Sequence, residues 1–100
     1  MDKHAAKIST RPLFQLGQLG GTVGAMKALQ GSEELCALLL QRHICGDWGD
    51  VDVEDWETNN RALKTRQRLL SAYTLIGGGK IWIITEADRS VTTVLTPDEY

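Results

Sequence analysis

Residues 68–76, RLLSAYTLI, 80–86, KIWIITE, and 91–96, VTTVLT, decide the fold. All three are rich in β-branched and aromatic residues, and the breaks between them are GGG at 77–79 and ADRS at 87–90. Side chains that suit a pleated, half-buried surface, punctuated by turn residues at short intervals, predict a three-stranded antiparallel meander. With Asp88 and Arg89 at the tip of the second turn, Thr85 stands opposite Thr92 and Ile84 opposite Thr93. Hydroxyls then lie on both faces of that hairpin.

Upstream of the meander the apolar period changes from two to that of a helix. Asp52, with Asp55 three positions on, resembles a capping box for a helix on which Val53, Trp56, Asn60 and Leu63 share a face, and Lys64 and Arg66 suit its C-terminal end. A second helix runs from a Ser32 cap, with Glu33 and Glu34 at the positive end of its dipole, to about His43, and Gly46 stops it. Its Leu35, Cys36, Leu38, Leu39 and Leu40 wrap most of the circumference, which predicts the central, most buried helix. Thr22 caps a shorter helix through Val23, Met26 and Leu29, ended by Gly31. Before it, Phe14, Leu16 and Leu19 alternate partly among glycines, as in a short or bulged strand within 13–21. The expected fold is α+β, with two or three helices packed on a three- to four-stranded antiparallel sheet. Residues 1–12 are expected to form a flexible tail and 13–100 a single domain.

With 42% hydrophobic and 24% charged residues, the 100-residue chain has the composition of one globular domain. A net charge of −2 disfavours bulk electrostatic capture of nucleic acid, so such binding is possible but not the favoured reading. No apolar run approaches the length of a bilayer span and the N-terminus lacks the apolar stretch of a secretory signal, so the expectation is a cytoplasmic protein with no membrane partner. Cys36 and Cys45 are then expected to pack as thiols rather than pair.

Two constellations could carry chemistry. Thr85, Glu86, Asp88, Arg89, Ser90, Thr92 and Thr93 crowd one hairpin end, and an arginine flanked by hydroxyls can clamp a phosphate or carboxylate. Turn chemistry and the strand preference of threonine account for the same composition. In RHICGDWG, at 42–49, His43 with Asp47 could form a carboxylate-held base, or His43 could simply complement the helix dipole. Asp47, Trp48, Ser71, Thr85, Asp88, Arg89, Thr92 and Thr93 are therefore the candidate binding residues. His43, Glu86 and Arg89 are the catalytic candidates should the domain be nuclease-like.

Metal and cofactor sites are not expected. Cys36, His43, Cys45 and Asp47 lack the paired spacing of structural zinc ligands. The acidic run from Asp50 fails as a calcium loop, because Asp55 stands where glycine is needed and Arg61 where a bidentate glutamate is needed. The clusters Gly17, Gly20, Gly21, Gly24 and Gly77–Lys80 match neither phosphate-loop spacing.

RHICGDWG, NNRALK, RLLSAY and KIWIITEADRSVTTVLTPDEY together resemble a family of short bacterial proteins of plasmids and other mobile elements, labelled plasmid-related protein. The resemblance runs from about Leu16 to Tyr100. It implies a genetic setting and transfers no catalytic residue. It departs at Val23, where the family's threonine is followed by proline. The plan of helices followed by a meander is also that of metal-independent ribonuclease toxins of the RelE and barnase type, in which His43, Glu86, Arg89, Ser71 and Thr93 would be asked to serve. That likeness is architectural only. The favoured expectation is a non-enzymatic accessory or regulatory protein of a mobile element, binding a protein partner or itself through the sheet and the Trp48 loop.

Overall fold

Three oxygen-bearing side chains start the three helices. In the computed structural model, which describes residues 8–100, Thr22 accepts from the Ala25 N–H, Ser32 from that of Leu35 and Asp52 from that of Asp55. Each fills a donor that the first turn leaves open. The helices are α1 (Val23–Ala28), α2 (Glu33–Ile44) and α3 (Val53–Thr65). Gly31 at φ +70 and Gly46 at φ +82 turn the chain out of α1 and α2, as expected, whereas α3 ends on a left-handed Arg66 at φ 57.

The strands are β1 (Gln18–Gly21), β2 (Leu69–Thr74), β3 (Lys80–Thr85) and β4 (Val91–Leu95), in the order β1-β4-β3-β2. The meander has the expected register, with Thr85 opposite Thr92 and Ile84 opposite Thr93. The α+β class stands, but the sheet is mixed rather than antiparallel. β1 runs parallel to β4, from Gln18 beside Val91 to Gly21 beside Val94. No hairpin joins β1 to its neighbour. Its link to the meander passes through all three helices, and a connection of that length permits parallel pairing.

The helices share one face of the sheet. Ala25, Leu29, Leu39, Leu40, Tyr73, Ile81, Ile83 and Val94 form one core, and Trp48, Trp56, Ala62 and Leu69 a second beside it. α2 is less enclosed than its leucines suggested. It buries Leu39, Leu40 and His43, while Leu38 stays 57% exposed, because a single sheet layer can cover only one side of a helix.

α3 is turned by about one residue from the predicted face. Asn59, not Asn60, lies buried, and it takes the place of a neighbouring strand for Leu70. Its Nδ2 donates to the Leu70 carbonyl at 2.7 Å and its Oδ1 accepts from the Leu70 N–H at 3.1 Å. One step along, the Ala72 N–H donates to Trp48 O at 3.1 Å and Asp50 N–H donates to Ala72 O at 2.6 Å. The outer edge of β2 is thus covered group by group, the usual protection of a sheet edge.

The predicted tail falls partly on residues 1–7, outside the described residues. From Ser9 onward the chain is tied down: Ser9 N–H donates to Cys45 O at 2.9 Å and Leu13 N–H to Ile44 O at 2.7 Å. Gly17, at φ +65, then brings the backbone against the β3–β4 turn, where an added Cβ would lie 2.3 Å from Ser90 O.

A capping box at Thr96 and Glu99 closes a short 3-10 turn over Pro97–Glu99 and does more than cap it. Glu99 Oε1 accepts from Thr96 N–H, Thr96 Oγ1 and Thr22 Oγ1, and Oε2 accepts from Gly24 N–H at 3.0 Å. These donors, Thr22 first, hold the Glu99 carboxyl well below the usual range, at about 2. A depressed carboxyl contributes stability that is present above its unfolded value near 4.5 and lost as the pH falls towards 2. The expected result is that Glu99→Gln weakens the acid dependence in that window alone, read from denaturation midpoints measured at successive pH values.

Candidate functional site

His43 sits on the last turn of α2, facing the sheet, and is wholly buried. Its ring nitrogens meet one hydroxyl each: Nδ1 lies 2.5 Å from Ser71 Oγ on β2 and Nε2 lies 2.9 Å from Thr85 Oγ1 on β3. Thr85 Oγ1 lies 2.7 Å from Thr92 Oγ1 on β4, and the Thr92 hydroxyl donates to the Leu16 carbonyl at 2.7 Å. Ser71, Thr85 and Thr92 are also fully buried. One residue from α2 and one from each strand of the meander are therefore joined in a closed polar chain that ends on the segment leading into β1.

Counting protons along this chain assigns its direction. The Thr92 hydrogen is committed to Leu16 O, so Thr92 accepts from Thr85. The Thr85 hydrogen being used, Thr85 accepts from His43, which places the ring proton on Nε2. Nδ1 is then an acceptor, and Ser71 donates to it. Every polar atom of the imidazole is satisfied in the neutral form. Burial, and secondarily the charge of Arg89, lower the His43 pKa to about 3. A general acid or base at neutral pH needs a value near the working pH and a free nitrogen. His43 has neither.

The two ends of the fold that the candidates occupy do meet, with Phe14 between them. The Phe14 ring packs edge-on to His43 at 5.2 Å and stacks with Trp48 at 6.2 Å, while the Arg89 guanidinium lies 5.7 Å from its centroid. The seam is closed around His43; a hollow of about 280 Å³ opens outside it, lined by Phe14, Leu63, Asp88 and Arg89 but by neither His43 nor Asp47. Arg89 itself, left-handed at φ 62, is committed to backbone carbonyls: Nη1 donates to Gln67 O at 2.6 Å and more weakly to Glu86 O and Ala87 O, and Nη2 donates to Ala62 O at 3.0 Å. It closes the C-terminal end of α3, where a cation suits the helix dipole, and adds a third donor to the Ala62 carbonyl, which already accepts from the Arg66 and Gln67 N–H groups. Arg89→Ala is expected to cost about 2–3 kcal/mol. Arg89→Lys should recover little of it, because one ammonium cannot span both carbonyl sets; denaturant titration of the two variants reads this directly.

The other candidates are divided among structural tasks. Asp47 pairs with Arg42 at 2.7 Å and not with His43, which corrects the expected carboxylate-held base. Its backbone carbonyl accepts from Tyr73 Oη at 2.7 Å, beneath the Arg42 guanidinium that covers the Tyr73 ring at 4.6 Å. Trp48, fully buried, donates from Nε1 to Asn60 Oδ1 at 3.0 Å, so the Trp48 loop presents no tryptophan to a partner. Glu86 pairs at 3.2 Å with Arg68, whose guanidinium also contacts Tyr100, and Tyr100 packs against Trp82. Side chains alternate along β3, and Thr85 points at His43, so Glu86 belongs to the opposite face of the sheet. His43 and Glu86 share no cleft. Thr93, opposite Ile84, is on that far face too, and Asp88 accepts from Ser90 N–H and Oγ in the exposed turn.

Phe14 and Asn59 were not singled out from the sequence. Phe14 is the only phenylalanine of the chain, next to a glycine-rich stretch, and Asn59 is a buried amide in mid-helix. The second carried a legible signal, since asparagine is a poor helix former and holds an interior helical position when its amide meets another backbone.

Among the described residues no three metal-ligating side chains cluster, and both cysteines are free thiols, Cys45 buried and Cys36 half-buried. No described helix is long and apolar enough to cross a membrane. Comparison with protein-family models, with curated proteins and with solved structures found no match.

Proposed function

We propose that this chain is a non-enzymatic accessory or regulatory protein of a bacterial mobile element that acts by binding protein. The observation that carries the reading is how the reactive-looking side chains are spent. His43, Ser71, Thr85 and Thr92 satisfy one another in the interior, Arg89 caps α3, Asp47 holds Arg42, and Glu86 lies on the other face of the sheet. Binding through Trp48 has no support in its burial. The surface that invites a partner is instead the β1 edge, where Leu19, Val23 and Met26 are 50%, 71% and 42% exposed beside an apolar hollow. Apolar residues grouped in this way mark association surfaces more often than single exposed ones do. The genetic setting rests on the resemblance carried by RHICGDWG and the C-terminal run.

Immobilised chain should retain a protein, its own kind included, and lose it when Leu19 is replaced by lysine. An inert monomer, with no retained protein in a host lysate and no self-association in sedimentation, would contradict the proposal. Expression that arrests growth, together with RNA cleavage by the purified wild-type chain, would favour a ribonuclease instead.

A further inference from the structure

The two edges of the sheet are treated differently. β2 is covered by Asn59 and by residues 48–50, whereas among the described residues nothing pairs with the outer side of β1. Gln18 N–H donates to Ser90 O and Thr22 N–H to Val94 O, so the even-numbered residues turn their backbone groups towards β4. By the alternation of a strand, Leu19 and Gly21 direct theirs outward. β1 also lacks the usual deterrents to pairing. No charged residue occurs from Leu13 to Met26, and no proline interrupts the strand.

We infer that β1 pairs antiparallel with β1 of a second copy of this chain, joining two four-stranded sheets into one of eight strands about a twofold axis at Gly20. This names the partner within the function proposed above and rests on it. The outward groups fix the register. Hydrogen-bonded pairs form between Leu19 and the second copy's Gly21, and reciprocally, which places Gly20 opposite itself. The side chains agree with that register. Leu19 and Gly21 share the helix-side face, and an added Cβ on Gly21 would meet Met26 Cε at 2.8 Å. Met26 thus fills the space that Gly21 leaves, so each Leu19 meets the second copy's Gly21 backbone and the Met26 methyl beside it, an apolar contact made twice by symmetry. A foreign strand would have to supply both exposed apolar side chains, which a second copy already carries.

Charge points the same way. A twofold contact sets each residue near its own kind, so a charged strand would repel itself, and residues 13–26 carry no charge; the carboxylates beside them are Glu99, held by Thr22 and Gly24, and Glu33 in the lining of the hollow beside Leu19. Beyond the strand, the edge offers Leu19, Val23 and Met26 and two adjoining hollows of about 270 and 220 Å³ that share Leu19, Met26 and Cys36 as lining.

Sedimentation of the full chain over a dilution series, with amide exchange followed by NMR, tests the pairing. The expected result is a dimer whose Leu19 and Gly21 amides gain protection with concentration. Leu19→Lys, with unchanged circular dichroism, should raise the dissociation constant at least about tenfold by setting two ammonium groups across the axis. Leu38→Lys, on a separate exposed leucine, should leave the dimer intact. A dimer that survives Leu19→Lys, or yields only to Leu38→Lys, overturns the β1 pairing. A wild-type monomer that still retains a host protein through Leu19 overturns the second copy as occupant while the binding function stands; a monomer that retains nothing overturns both.

Discussion

Acidification from pH 6.5 to 5 is expected to remove about 2 kcal/mol of folding stability, and about 4 kcal/mol by pH 3, through His43 alone. The imidazole has an unfolded value of 6.5 and a folded value of about 3, because burial disfavours its cation. With the folded value the lower of the two, the contribution is intact above pH 6.5 and is lost as the pH falls towards 3. The upper part of this window lies above the range in which Glu99 titrates, so the two groups separate. Urea denaturation at half-unit pH steps should show the slope in the wild type and its absence between pH 6.5 and 5 in His43→Gln. A flat wild-type profile there would mean that the ring is hydrated and free to charge. A loss of this size matters in a domain whose whole stability is of the order of 5–15 kcal/mol.

Gly49→Ala should be the most damaging single methyl group, costing about 3–5 kcal/mol. Gly49 is left-handed at φ +76, and an added Cβ would lie 2.0 Å from the Ala72 carbonyl and 2.7 Å from the Tyr73 ring. Nothing there is free to move. Ala72 O is held by Asp50 N–H and Ala72 N–H by Trp48 O, so the clash would lift residues 48–50 off β2 and draw Trp48 from its core. The tryptophan fluorescence should shift to the red along with the loss in denaturation midpoint. Gly78→Ala provides the comparison. It has a similar positive φ, +99, with nothing within 4 Å of the added carbon, and should cost only about 1–2 kcal/mol for the backbone conformation.

What could be read from the sequence follows from how local each cause is. The meander, its register and the caps at Thr22, Ser32 and Asp52 depend on residues a few positions apart, and the expectations agree with the structure. The direction of β1 depends on a connection through three helices, which no window of residues encodes. Thr85 and Thr92 were paired correctly, but the third and fourth members of their chain, His43 and Ser71, come from elements 42 and 28 residues apart in the sequence contacts they make. The look of a reactive cluster misleads here for a physical reason. A histidine and hydroxyls arranged for chemistry and the same groups arranged to satisfy one another have one composition, and only burial and proton count distinguish them. Trp48 shows the same limit: its loop is the expected contact for a partner, yet Gly49 lets the backbone approach Ala72 closely enough to bury the indole.

The ring nitrogens of His43 give the most direct test of the central claim, that the polar constellation is part of the closed interior and not a reaction centre. In a ¹⁵N NMR titration, the proton count predicts a single neutral tautomer with hydrogen on Nε2, Nδ1 as acceptor, and no titration of His43 between pH 8 and about 4. A ring that titrates near 6.5, or carries its proton on Nδ1, would contradict it.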